Sequence, residues 1–147
     1  MQKFRFRLDS ALRLRTLRLS IEQDKLARAL AEVARIEKAV ADLSAERAAA
    51  KAFVQTAPET GVTELRSLAA YLLAYEARSL KLTTSLESAR LRAGEQRQRV
   101  LTAEREERLL IKLKAKRRAD WQIEADHEVE TLAQELWNAV HFDRNSD

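Results

Sequence analysis

Residues 26–54 read LARALAEVARIEKAVADLSAERAAAKAFV, and the spacing of apolar side chains in this run decides the fold. Leu26, Ala29, Val33, Ile36, Val40, Leu43, Arg47, Ala50 and Val54 recur in alternating steps of three and four. That spacing lays one narrow apolar stripe along a helix and leaves Glu, Lys, Arg and Ala on the other faces, the pattern of a coiled-coil seam. Working towards the N-terminus, Leu12 and Leu19 extend the heptad back from Leu26. Asp9-Ser10 precedes it and offers an N-cap, because either side chain can accept from free backbone N–H groups. Towards the C-terminus nothing breaks the helix before Thr56-Ala57-Pro58-Glu59-Thr60-Gly61. There Pro58 removes a donor and clashes with the preceding turn, and Gly61 tolerates turn dihedrals.

A second seam follows: Leu65, Leu68, Leu72, Tyr75, Ser79, Leu82, Leu86, Ala89, Ala93, Gln96, Val100 and Ala103, then Glu107 and Leu110. The reading is one all-α domain over 1–147, with helix 1 at about 8–57, a turn at 58–61 and helix 2 at about 62–140. A short connection makes two long helices antiparallel neighbours. The small Ala, Ser and Gln residues predict close approach of the helices but weaker burial in mid-seam, and Gly94 predicts a soft point costing about 1 kcal/mol relative to Ala. Glu107, Lys114 and Arg117 on seam positions predict that the pairing fades near residue 107. At 1.5 Å per residue helix 1 is roughly 70 Å long and helix 2 roughly 115 Å. Residue 10 is thereby expected beside residue 109, with everything after about 115 overhanging. That overhang carries Trp121, Ile123, Val129, Leu132, Leu136, Trp137, Val140 and Phe142, an apolar stripe that calls for a partner.

Composition agrees with few, long elements. The 147 residues include two Gly and one Pro, with 34% charged, 46% hydrophobic and 5% aromatic residues, the balance of a coiled coil with thin seams. No cysteine is present, which excludes disulfides and thiolate metal sites and suits a reducing cytosol. No apolar run reaches the ~18 residues of a membrane span. The basic first twenty residues resemble a transit peptide in composition, but the apolar periodicity runs unbroken from them into the remaining chain.

The net charge of +4 is unevenly laid out. Lys3, Arg5, Arg7, Arg13, Arg15 and Arg18 make one basic block, and Arg108–Arg118 another. An acidic stretch from Asp120 to Glu135 follows. Such blocks suit either a solvated surface or docking to an acidic partner. Neither glycine belongs to a phosphate-binding loop, and a helical hairpin offers no closed catalytic site. No enzyme, cofactor or metal is expected. Glu124 and His127 form a single Glu-x-x-His pair, half of what a di-iron bundle needs, and read as solvated helix face. A nucleic-acid reader of the bZIP type needs parallel dimerisation beside its basic segment, which a chain that turns back on itself does not provide. Phe4 and Phe6 amid arginines leave a membrane-surface helix open. Tyr71, Tyr75, Arg78 and Leu82 form a stripe that is either the edge of the seam or a second docking strip.

Phe4-Arg-Phe-Arg-Leu-Asp-Ser-Ala-Leu-Arg-Leu-Arg15 resembles the opening of the flagellar export protein FliJ family. Glu107-Arg-Leu-Leu-Ile-Lys-Leu-Lys-Ala-Lys-Arg-Arg118, followed by Trp121, is similar to that family's basic segment and acidic tail. One departure is Gln134-Glu135, where many relatives carry an acidic pair. The resemblance implies a non-enzymatic central-stalk component of the flagellar type III export apparatus, cytoplasmic and peripheral to the membrane through its partners. Those partners would be the hexameric export ATPase, the membrane export gate protein FlhA and export chaperones. It implies ATPase contact through Phe4, Phe6, Arg7, Leu12, Arg15, Lys112, Lys114, Lys116, Arg117, Arg118 and Trp121. It implies gate contact through Tyr71, Tyr75, Arg78 and Leu82. A generic coiled-coil adaptor and a virulence-type secretion stalk are the alternatives.

Overall fold

The computed structural model describes residues 3–57 and 61–144. Pro58, on which the expected turn rests, lies outside them. The architecture is all-α: two long helices, α1 (Asp9–Thr56) and α2 (Val62–Arg144), pack against each other. The chain divides into two compact units, one of Met1–Leu19 with Ala103–Asp147, the other of Ser20–Thr102.

In the unit of Ser20–Thr102 the heptad reading maps directly onto burial. Every α1 seam residue from Leu26 to Val54 is shielded from solvent at least in part, with Ile36 and Leu43 fully buried. On α2 the stripe from Leu68 to Val100 is shielded likewise, while Leu65 at its start stays exposed. The direction is antiparallel: Arg90 pairs with Glu37 at 2.7 Å, and the Arg47 guanidinium lies 4.8 Å from the Tyr75 ring centroid. Leu30, Leu73, Leu80 and Leu91, which fall off the stripe, are exposed.

Mid-seam the small side chains are closely covered. Ala89, Ala93, Gln96 and Val100 are the most deeply buried α2 residues of this unit. Small side chains let the two backbones approach, so each residue is covered more completely even though it contributes less apolar area. Gln96 is buried there and donates from Nε2 to the Glu22 carbonyl at 3.0 Å and to the Glu22 carboxylate. The amide of Gln96, and then Lys25 beside it, hold the Glu22 carboxyl below its ordinary range.

Helix ends are closed locally. The Thr56 hydroxyl donates to the carbonyls of Ala52 and Phe53 at 2.9 and 3.3 Å, adding a second donor at the last turn of α1. Leu65 donates its N–H to Gly61 at 3.2 Å to open α2.

Gly94 does not interrupt α2: its φ is negative, and a Cβ built there meets nothing within 4 Å. Substitution Gly94→Ala is therefore expected to stabilise the helix by about 1 kcal/mol, read as a higher midpoint in thermal or urea unfolding followed by circular dichroism. A lower midpoint would mean that a close packing neighbour occupies the apparently open space.

Candidate functional site

The unit of Met1–Leu19 with Ala103–Asp147 gathers most of the residues expected to dock. Its α1 segment presents Leu12, Arg15 and Leu19 inward, and its α2 segment Ala103, Glu107, Leu110 and Lys114. Charged residues on these seam positions are satisfied across the pair. Lys114 Nζ donates to Asp9 Oδ1 at 2.6 Å, Arg15 pairs with Glu106, and the Thr16 hydroxyl donates to Glu107 at 2.8 Å. Arg18 reaches the same Glu106 carboxylate at 3.7 Å. The seam therefore does not fade at residue 107. Polar seam positions on one helix meet polar partners on the other, and the pairing continues.

Register and reach also differ from the length estimate. Asp9 lies beside Lys114, about one helical turn further along α2 than a turn centred on 58–61 implies. Beyond Asp9 the chain is not helical, and residues 3–8 run along α2 as a strap. The Phe4 ring packs on Trp121, centroids 5.9 Å apart with a 53° tilt, and Lys114 Nζ stands 5.9 Å from the Phe6 ring centroid. A tilted aromatic pair of this kind contributes about 0.5–1.5 kcal/mol beyond its buried area. Lys3–Leu8 together with Leu113, Arg117, Trp121 and Ala125 line a shallow groove, and Ala125 is buried. The overhang therefore begins near residue 126, not 115, because the strap covers Trp121. From Asp126 to Phe142 every side chain is exposed, Val129, Leu132, Leu136, Trp137 and Val140 among them.

Asp9 is the residue that sequence reasoning assigned differently. Its carboxylate binds Lys114 and Arg13; it does not cap the helix, although a negative charge in the first turn still suits the helix dipole. The Lys114 hydrogen bond holds its carboxyl below the ordinary value, with Lys114 and Arg13 charge adding to the effect. The sequence register, with residue 10 beside 109, sets Lys114 against Arg5, so this pairing emerges only from the shift of about one turn.

The expected contact residues separate into two groups. Phe4, Phe6, Leu12, Arg15, Lys114 and Trp121 are half-buried and hold the unit together, whereas Arg7, Lys112, Lys116, Arg117 and Arg118 project into solvent. Arg5, Arg13, Arg18 and Arg108 are also exposed, and the groove around the aromatic pair is lined by the cations Lys3, Arg5, Arg7 and Arg117 and by the acids Asp120, Glu124 and Glu128. In the other unit Tyr71, Tyr75 and Leu82 are half-buried in the seam and only Arg78 is free to solvent. The Tyr71 hydroxyl is buried without a hydrogen-bond partner beside Phe53 and Leu68. This geometry matches the seam-edge reading of that stripe more closely than a free docking strip.

Glu124 and His127 do not assemble a metal site. Among the described residues no group of three or more His, Asp or Glu side chains could hold an ion. His127 faces the Thr131 hydroxyl, and His141 stacks on Trp137 with centroids 4.0 Å apart. Among the described residues no helix is long and apolar enough to cross a membrane.

The Asp9–Lys114 contact has a pH signature. A carboxyl whose folded pKa lies below its unfolded value stabilises the fold above the unfolded value, near 4, and loses that contribution as pH falls through the folded value. An Asp9→Asn variant is expected to melt below the parent at pH 7, with the gap closing as the pH is taken below about 4. A gap that stays constant across that range would remove the ion pair from the account of stability.

Comparison with family models, with characterised proteins and with solved structures finds no match to this chain.

Proposed function

We propose that this chain is a non-enzymatic stalk component of a flagellar-type protein export apparatus, docking through its helix ends onto an oligomeric export ATPase. The reading rests on the resemblance of residues 4–15 and 107–121 to the FliJ family. One observation supports it most. Arg5, Arg7 and Arg117 line the groove that holds the Phe4–Trp121 pair, and with Lys112, Lys116 and Arg118 they stay solvent-exposed. Exposed charge of one sign speeds encounter with an acidic surface and orients it. Half-buried aromatics at the centre of such a patch are the usual source of affinity once contact is made. No residue of the chain is assigned a chemical step. The ATPase would supply the chemistry and the hairpin a long, asymmetric axle. The export gate protein FlhA is the second partner of this reading, and Arg78 is the gate-stripe residue most available to it.

The docking residues are narrower than the sequence motif. Lys114 and Arg15 already serve Asp9 and Glu106 within the chain, so their loss would disturb the fold and the binding together. Lys112, Lys116, Arg117 and Arg118 are exposed and can be reversed without that confusion.

The purified chain is expected to promote ring assembly and ATP hydrolysis by a flagellar export ATPase. Replacing Lys112, Lys116, Arg117 and Arg118 together by Glu should cut binding by about tenfold or more, with helix content by circular dichroism unchanged. Absence of any effect of the parent chain on the ATPase would sink the proposal, as would full stimulation by the reversed variant.

A further inference from the structure

α2 carries a second apolar stripe that its own chain leaves mostly exposed. Ile111, Ala115, Arg118, Gln122, Ala125, Val129, Leu132 and Leu136 follow one another in steps of four and three, so they share one face of the helix. Arg108 and Glu104 continue the same alternation upstream. This face lies beside the one that α1 occupies, since Leu110 and Lys114 belong to that first stripe. Ile111, Val129, Leu132 and Leu136 are exposed by 48, 54, 58 and 67%. Ala125 alone of the eight is buried, at the edge of the strap.

The charges along this stretch say what fits. Arg108–Arg118 holds six basic residues and no acid, and Asp120–Glu135 holds six acids and no Lys or Arg. Laid parallel on a copy of itself, the helix would face like charge with like. Laid antiparallel, it would face each basic block with an acidic one, and a two-fold axis would make both ends equivalent. The seam spacing agrees with that charge argument. An antiparallel pair centred on residue 120 places Ile111 against Val129, Ala115 against Ala125 and Arg118 against Gln122, all in the alternation that seam packing needs. On the flank it places Lys112 next to Asp126 of the second copy. Among the described residues neither Lys112 nor Asp126 has an ion-pair partner in its own chain.

We infer that a second copy of this chain covers the face, α2 pairing antiparallel with α2 about a two-fold axis near residue 120. The paired stretch, residues 111–129, runs roughly 28 Å at 1.5 Å per residue, beyond the ~12–15 residues below which a helix is marginal alone. The inference stands on this chain's own surface and does not rest on the export reading.

Sedimentation of the full chain tests it. A dimer is expected at low salt and a weaker one at high salt, because the flanking pairs are solvent-exposed and screened. Val129→Asp, which sets an acid against Ile111 of the second copy, should give a monomer that keeps its α1–α2 helix content. Lys112→Glu and Asp126→Lys should each weaken association by about tenfold, two contacts being reversed per dimer, and the two together should restore it. The absence of cysteine allows a position test in addition. A single Ala119→Cys, close to the axis, should be joined to its copy by a short bifunctional thiol reagent, whereas Ala133→Cys should not. A parent chain that sediments as a monomer at all salts would overturn the inference. So would a double charge swap that fails to restore association, or cross-linking at 133 in place of 119.

Discussion

A seam of only two helices has no third neighbour to hide a misplaced polar group, and that constraint governs the whole chain. A charged or amide side chain on a seam position needs a partner on the opposite helix, by hydrogen bond, ion pair or, as at Arg47, the face of the Tyr75 ring. Gln96 shows the rule at its strictest. It is buried, it donates to both the backbone and the carboxylate of Glu22, and the alanines around it offer nothing else to bond. A slip by one heptad would leave the amide buried against an apolar side chain, at a cost of about 1–3 kcal/mol. One polar residue in an apolar seam thus sets register, at the expense of some apolar burial.

The same rule explains why pairing persists where the apolar residues thin out. Lys114 would end the seam if it faced nothing, but Asp9 meets it at 2.6 Å. Arg15 and Glu106 repeat the solution one to two turns away. Such half-exposed ion pairs contribute little stability individually, because solvent screens them. Their larger effect is negative: a register that separates them strands charges against apolar surface. Apolar area supplies the free energy, and the polar positions choose which of several similar registers receives it.

Heptad spacing made most of this fold legible beforehand. Two helices, their stripes and their antiparallel sense follow from the 3/4 alternation and the shortage of Gly and Pro. Burial at Ile36, Leu43 and Val100 follows the same pattern. What spacing could not show was the path of residues 3–8, because the strap is not helical and has no period to read. Trp121 consequently looked bare in sequence, although Phe4 packs on it. Of the candidate contacts, the exposed basic side chains were readable as charge blocks, whereas the internal duties of Arg15 and Lys114 required the register.

Docking onto an ATPase and pairing with a second copy would draw on the same charges. Lys112 and Arg118 lie on or beside the second stripe of α2, and both belong to the basic patch proposed to meet the ATPase. An antiparallel dimer would set the acidic stretch from Asp120 to Glu135 against that patch and neutralise it. The two associations would then exclude one another, and each would lower the apparent affinity of the other by mass action. Because the seam offers Ala115, Arg118 and Gln122 at its centre where a tight coiled coil would have leucines, the self-paired form is held by its two ends and by flanking charge. That composition favours an association that can be displaced. The acidic stretch thereby acquires a role that neither helix formation nor α1 packing gives it: it is the chain's own competitor for its basic surface.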